Sequence, residues 1–153
     1  MATLGTLLAP DLLATQSCWR LRANVNGYSR STGHGLTTQA GKGRSFRILK
    51  IVGARIEVML LDDGYQCWID QDAVIGNAEH RGPWQPTMLT TTEIEQRIPD
   101  VLAWSERVQQ QPNTYLWGGT TEPDMDCSGL MQMAFASQQI WIPRDAYQQE
   151  QFC

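Results

Sequence analysis

Histidine is scarce: the 153 residues hold two, His34 and His80, and none follows Cys127. A cysteine or serine nucleophile that relies on a histidine further along the chain therefore finds none here. The cysteines at 18, 67, 127 and 153 are 49, 60 and 26 residues apart by subtraction, so no C-x-x-C pair exists for zinc or dithiol redox work. No metal site and no organic cofactor is expected. Positive charge shows no surplus, with 12 Lys+Arg against 16 Asp+Glu and a formal charge of −4. That excludes the electrostatic footprint of a nucleic-acid binder. No window approaches the roughly 18 consecutive apolar residues of a membrane span. The opening MATLGTLLAPDLLATQSCW lacks a positive n-region, and Pro10-Asp11 interrupts its leucines, so it does not read as a secretory leader. The expectation is a cytoplasmic chain with reduced thiols.

What the chain does contain is ordered in two halves. CWRLRANVNGY, RSFRILKIVG, ARIEVMLLDDG and YQCWIDQDAVIG read as short strands punctuated by Asn26-Gly27, Gly53 and Asp63-Gly64. Cys18 and Cys67 fall in these runs beside Trp19 and Trp68 as small apolar core residues, and Trp19, Ile48, Val58 and Trp68 are the candidate core. NAEHRGPWQPTMLTTTE then reads as a linker, with a domain boundary near residue 85. From Thr92 the apolar period lengthens, placing Ile94, Ile98, Val101, Leu102 and Val108 on one helical face, with Pro99 expected to start a fresh helix. Further helices are expected after Asp126 and after Asp145, each as N-cap.

GLTTQAGKGRS, residues 35 to 45, imitates a phosphate-binding loop, but five residues separate Gly35 from Gly41 and Gly43 stands where a hydroxyl is needed. It reads better as a mobile hairpin loop. His34 in that loop and His80 in the linker read as solvated histidines, since no carboxylate or cysteine lies at a useful local spacing. Cys127 is different. It opens an apolar helical run directly after an N-cap, where unpaired N–H groups and the helix dipole favour a thiolate.

YLWGGTTEPDMDCSGLMQMAF, with IWIPRDAYQQ behind it, resembles the first half of the NlpC/P60 family of cysteine peptidases, and the preceding strands resemble a bacterial SH3-like barrel. Together they are similar to the cyanobacterial type of γ-D-glutamyl-L-diamino-acid endopeptidase. The resemblance implies an α+β fold: an SH3-like β-barrel with linker over 1–85, then the mainly helical start of a papain-like domain over 86–153. It implies Cys127 as nucleophile and Asp126 and Ser128 as holders of the substrate's amino-terminal L-alanine. Tyr115 and Trp117 become the aromatic wall, and Tyr65 of the barrel closes the pocket. The substrates implied are murein peptides of the type L-Ala-γ-D-Glu-diamino acid.

A free α-amine is a compact cation that a carboxylate and a phenol could select, rejecting acylated alanine. Gly118, Gly119 and Gly129 could make room for substrate backbone and helix packing, or could be simple turn and packing glycines. The family's histidine and its orienting residue lie downstream of the cysteine, which makes this chain read as a truncated enzyme whose C-terminal half is absent or a separate fragment. Two alternatives remain open: a non-catalytic murein-peptide binding module, and an inactive remnant of a broken gene.

Overall fold

Period-two burial organises the first half of the chain. In a computed structural model describing residues 2–152, contacts divide the protein into two units that meet in sequence at Gln85 and Pro86. The first contains β1 Cys18–Leu21, β2 Val25–Tyr28, β3 Leu36–Ala40, β4 Ser45–Val52, β5 Arg55–Leu60, β6 Gln66–Asp70, the one-turn helix α1 Gln71–Val74, and β7 Ala78–His80. They form one antiparallel sheet in the order β3-β2-β6-β5-β4-β1-β7. Phe46 opposite Leu60 and Ile48 opposite Val58 set the register of its longest pair. These four side chains are fully buried with Trp19, Leu21, Ile56 and Ile69.

Alternation also corrects two expectations. Trp19 points inward, so its neighbour Cys18 is only half-buried, and Trp68 is half-buried because Cys67 and Ile69 take the inner face of β6. Asn26-Gly27 is not a turn but lies inside β2. A methyl at Gly27 would come within 2.8 Å of Cys67 Sγ and of Thr38 Cγ2, so glycine serves there to let neighbouring strands approach. Of the run 35–45, residues 36–40 are strand β3, and the chain reverses within 41–44 before β4, with Gly43 at φ +94°.

The expected linker starts later than the composition suggests, because residues 78–80 pair with β1 as β7. His80 is consequently half-buried, its ring edge-on to Trp19 at 5.3 Å between centroids. The first residues lie along β7: the Leu8 N–H donates to Ala78 O at 2.8 Å and the Gly76 N–H to Leu8 O at 2.8 Å. Leu8 thereby becomes a core residue. Arg55, also buried, donates to Asp70 Oδ1 at 2.7 Å and to the carbonyls of Arg30 and Gly33 at 2.9 and 2.6 Å, and stacks 3.9 Å over Tyr28. One guanidinium thus fastens the β2–β3 connection to the sheet.

The second unit starts with α2, Thr91–Gln109, opened by a capping box in which Thr90 and Glu93 each accept the other's backbone N–H. The helix runs through Pro99 instead of restarting there. Pro99 forgoes one backbone bond, while α2 retains its contacts with the next long helix, so the local interruption does not end it. After α2 come a minimal hairpin, β8 Thr120–Thr121 and β9 Asp124–Met125, then α3 Cys127–Ala136 and α4 Ala146–Phe152. Val101, Ala134 and Ile140 form a small core with Leu89, Ile94, Trp104 and Phe135 around it. Leu102, expected on the inner face, is exposed. Among the described residues no helix is long and apolar enough to cross a membrane.

Candidate active site

Cys127 occupies the first position of α3 and is exposed. Asp126 is the N-cap: its Oδ1 accepts the Gly129 N–H at 2.7 Å, the interaction that stabilises such helix starts by about 1 kcal/mol. Its Oδ2 accepts the Gly118 N–H at 2.8 Å. Gly118 takes φ +80°, so a side chain there would be strained. The hairpin β8–β9 leads directly into the cysteine, and the Asp126 N–H donates to Gly119 O at 3.1 Å to close it.

A residue 18 positions further along the chain completes this corner. Arg144, almost wholly buried, donates from Nη1 to Asp126 Oδ1 at 3.1 Å and from Nη2 to Asp126 Oδ2 at 2.9 Å, and also from Nη1 to Ser128 Oγ at 2.9 Å. Burial of the Asp126 carboxyl pushes its pKa up. The hydrogen bond from Arg144 and the Gly129 N–H, then the Arg144 charge and the Gly118 N–H, outweigh burial and hold Asp126 below its ordinary value. Arg144 is itself held in place. Gln132, fully buried on α3, donates to Ile142 O at 3.0 Å, and Gln149 on α4 donates to Pro143 O at 2.8 Å and Ser128 O at 3.0 Å.

A cleft of about 220 Å³ opens at Cys127, lined by Val108, Gln109, Asn113, Tyr115, Pro123, Met125, Asp126 and Leu130 beside it. Tyr115 is exposed rather than a core aromatic, and its hydroxyl is hydrogen-bonded with Cys127. Partial loss of hydration raises the Tyr115 pKa, as do negative charge on Cys127 and on Asp126, with Arg144 opposing. Trp117 is also exposed. It does not line the cleft. Tyr65 belongs to the first unit, where its hydroxyl shares a 2.7 Å hydrogen bond with Thr37 Oγ1.

Asp126, Ser128, Tyr115 and Cys127 are thus brought together, but the Asp126 carboxylate differs from the open counter-ion foreseen for a substrate amine. Both of its oxygens already have donors, one of them a guanidinium. Gly119 and Gly129 serve internal packing. A methyl at Gly119 would meet Asp124 O at 2.5 Å and Leu116 O at 3.0 Å, and one at Gly129 would run into the Gly119 carbonyl oxygen. Arg144, Gln132 and Gln149 escaped sequence reading. A lone arginine in the run IWIPRD beside an Asp N-cap was the only available signal. Among the described residues no cluster of His, Cys, Asp and Glu could hold a metal ion.

Residues 112–153 match the model of the NlpC/P60 family. Residues 28–74 match that of the bacterial dipeptidyl-peptidase Sh3 domain. Among solved structures, NlpC2 from Trichomonas vaginalis is 17% identical, with 89% of this chain and 72% of that one covered at a TM-score of 0.42. NlpC1 from the same organism is 17% identical, with coverages of 97% and 74% and a TM-score of 0.43. An NlpC/P60 family protein from Bacillus cereus is 19% identical, with coverages of 90% and 41% and a TM-score of 0.34. No curated protein matches the chain.

Proposed function

We propose that Cys127 is the nucleophile of a cell-wall peptidase of the NlpC/P60 type that cuts the γ-D-glutamyl to diamino-acid bond of murein peptides with a free amino-terminal L-alanine. The observation that carries this reading is an exposed thiol at the start of α3, opening into the cleft, within a segment that matches the family model. The Cys127 thiolate would attack the γ-carbonyl carbon, forming a C–S bond and a tetrahedral oxyanion. Collapse would expel the diamino-acid amine with a proton from the acid group, and water would then hydrolyse the thioester, returning the thiol and releasing L-Ala-D-Glu.

The acid–base group is the missing part, since residues 81–153 contain no histidine. In this reading the histidine and its orienting partner are supplied by residues outside these 153, in continuing chain or a separate fragment. The first unit is read as an SH3-like barrel and the second as the opening of a papain-like domain. Selection of the free amine is assigned to the Tyr115 side of the cleft, with Ser128 and Asp126 behind it. Recycling of wall peptides in the cytoplasm is the proposed setting.

A chloromethyl ketone of L-Ala-γ-D-Glu tests the nucleophile and its subsite without requiring turnover. It should label Cys127 with saturation, more slowly when its alanine is N-acetylated, and not at all in Cys127→Ser. Equal labelling of free and acylated reagents would sink the amine subsite. The absence of a histidine favours one second reading, a peptide-binding module. That reading gains if murein tripeptide binds but is not hydrolysed even when histidine-bearing sequence is supplied.

A further inference from the structure

A carboxylate immediately before a nucleophilic cysteine is an electrostatic liability, because negative charge at 126 opposes the thiolate at 127. We propose that Arg144 is a positioning residue that cancels the Asp126 charge and locks the first turn of α3, so that Cys127 can ionise beside a carboxylate. The inference rests on Cys127 being the nucleophile. Its grounds are geometric: a buried, two-pronged ion pair, with contacts at 3.1 and 2.9 Å, joins Arg144 to the residue before Cys127. A third contact, 2.9 Å to Ser128 Oγ, reaches the residue after it. The planar guanidinium makes all three from two nitrogens in a fixed fork, a bidentate geometry that a lysine ammonium does not have.

The surroundings leave this charge balance to few groups. Tyr115 faces the thiol from the preceding loop. On β9, the Asp124 carboxylate accepts the Thr114 N–H at 2.7 Å. From α2 the cleft receives Val108 and Gln109, neither of which titrates. The α4 residue reaching the turn is Gln149, also uncharged. Asp145 and Glu150 are the acidic residues on and next to α4. The Asp126–Arg144 pair is therefore the principal charge arrangement flanking the cysteine.

The test is Cys127-specific alkylation of the 153-residue chain, followed by peptide mapping, with the rate at pH 7 divided by the rate at pH 10.5. The ratio reads thiolate population, whereas simple opening of the helix start raises both rates together. Arg144→Gln leaves the Asp126 charge uncompensated and should lower the ratio about tenfold, the equivalent of one unit in thiol ionisation. Asp126→Asn keeps a capable N-cap and removes the negative charge while that of Arg144 stays, so the ratio should rise several-fold. The double variant should return to within about twofold of the parent. If Arg144→Gln does not fold, Asp126→Asn and the double variant still decide the matter. A ratio unmoved by Asp126→Asn, or a double variant differing from the parent as much as either single change, overturns the proposal. A chain that fails to react with the peptide ketone while these ratios move as stated would sink the peptidase reading and leave the role of Arg144 standing.

Discussion

Gly129→Ala sets a local rule against a tertiary one. In a helix interior alanine is preferred to glycine by about 1 kcal/mol, so propensity alone makes the substitution stabilising. The packing of α3 says the opposite. A methyl at 129 would collide with the Gly119 carbonyl oxygen, lie 2.8 Å from Asp126 Oδ1 and sit 3.2 Å from Thr120 Cγ2. The first is backbone, anchored by the Asp126 N–H at 3.1 Å. The second is the acceptor of both the Gly129 N–H and Arg144. Neither can rotate away as a flexible side chain would.

Relieving the collision means withdrawing α3 from β8. Overpacking of this kind costs about 1–3 kcal/mol, and weakening a hydrogen bond to a charged carboxylate adds about 1.5–3 kcal/mol. After the propensity gain of about 1 kcal/mol, the net is a destabilisation of about 1.5–5 kcal/mol. Amide hydrogen exchange reads this directly, since such a loss corresponds to exchange roughly 10- to 5,000-fold faster in residues 127–136. Amides of β4 and β5 should not change, and Met131→Ala, at a half-exposed position on the same helix, supplies the control. Protection of α3 that is unchanged or increased would refute the argument that Gly119 and Gly129 are interlocked.

The acid limb of stability should report Asp126: its pKa is lowered in the folded state, so its stabilisation is full above the unfolded value near 3.8 and is lost as pH falls through the folded one. The urea midpoint of the second unit should drop below about pH 4, and Asp126→Asn should flatten that dependence. Cys67 acts at the other end, because burial pushes its thiol from 9.0 up to about 12. The stabilisation of its neutral form is complete below the unfolded value and lost as pH rises from 9.0 towards 12, so the first unit should weaken across that window and Cys67→Ala should remove the slope. Brief iodoacetamide treatment near neutral pH should modify exposed Cys127 first, half-buried Cys18 more slowly, and buried Cys67 only after unfolding. Early labelling of Cys67 would contradict its place in the core.

Local signals made α3 and the start of α4 legible, because an N-cap and the side chains that follow it act on their own turn. The same holds for the inward phase of Ile48 and Val58, set by strand alternation. Such signals failed where a distant neighbour outweighed the local preference. Gly27 resembles a turn residue until Cys67 and Thr38 are seen pressing on it. Pro99 looks like a helix start, yet Ile94 before it and Val101 and Trp104 after it share one core with Ala134 and Phe135 of α3, and α2 passes it by. Nothing in the sequence sets Leu8 apart from the leucines around it, whereas pairing along β7 is what carries it into the core.

At the site the division is sharper. The residue types at 126–129 and the position of the thiol are written in four consecutive letters. What the Asp126 carboxylate does was decided by Arg144, a residue 18 positions away whose long side chain reaches back only after α3 and the following segment have folded together. A carboxylate reads the same in sequence whether it faces a ligand or a buried guanidinium. Only the tertiary packing supplies the partner, because electrostatic pairing depends on distance in space and not on separation along the chain.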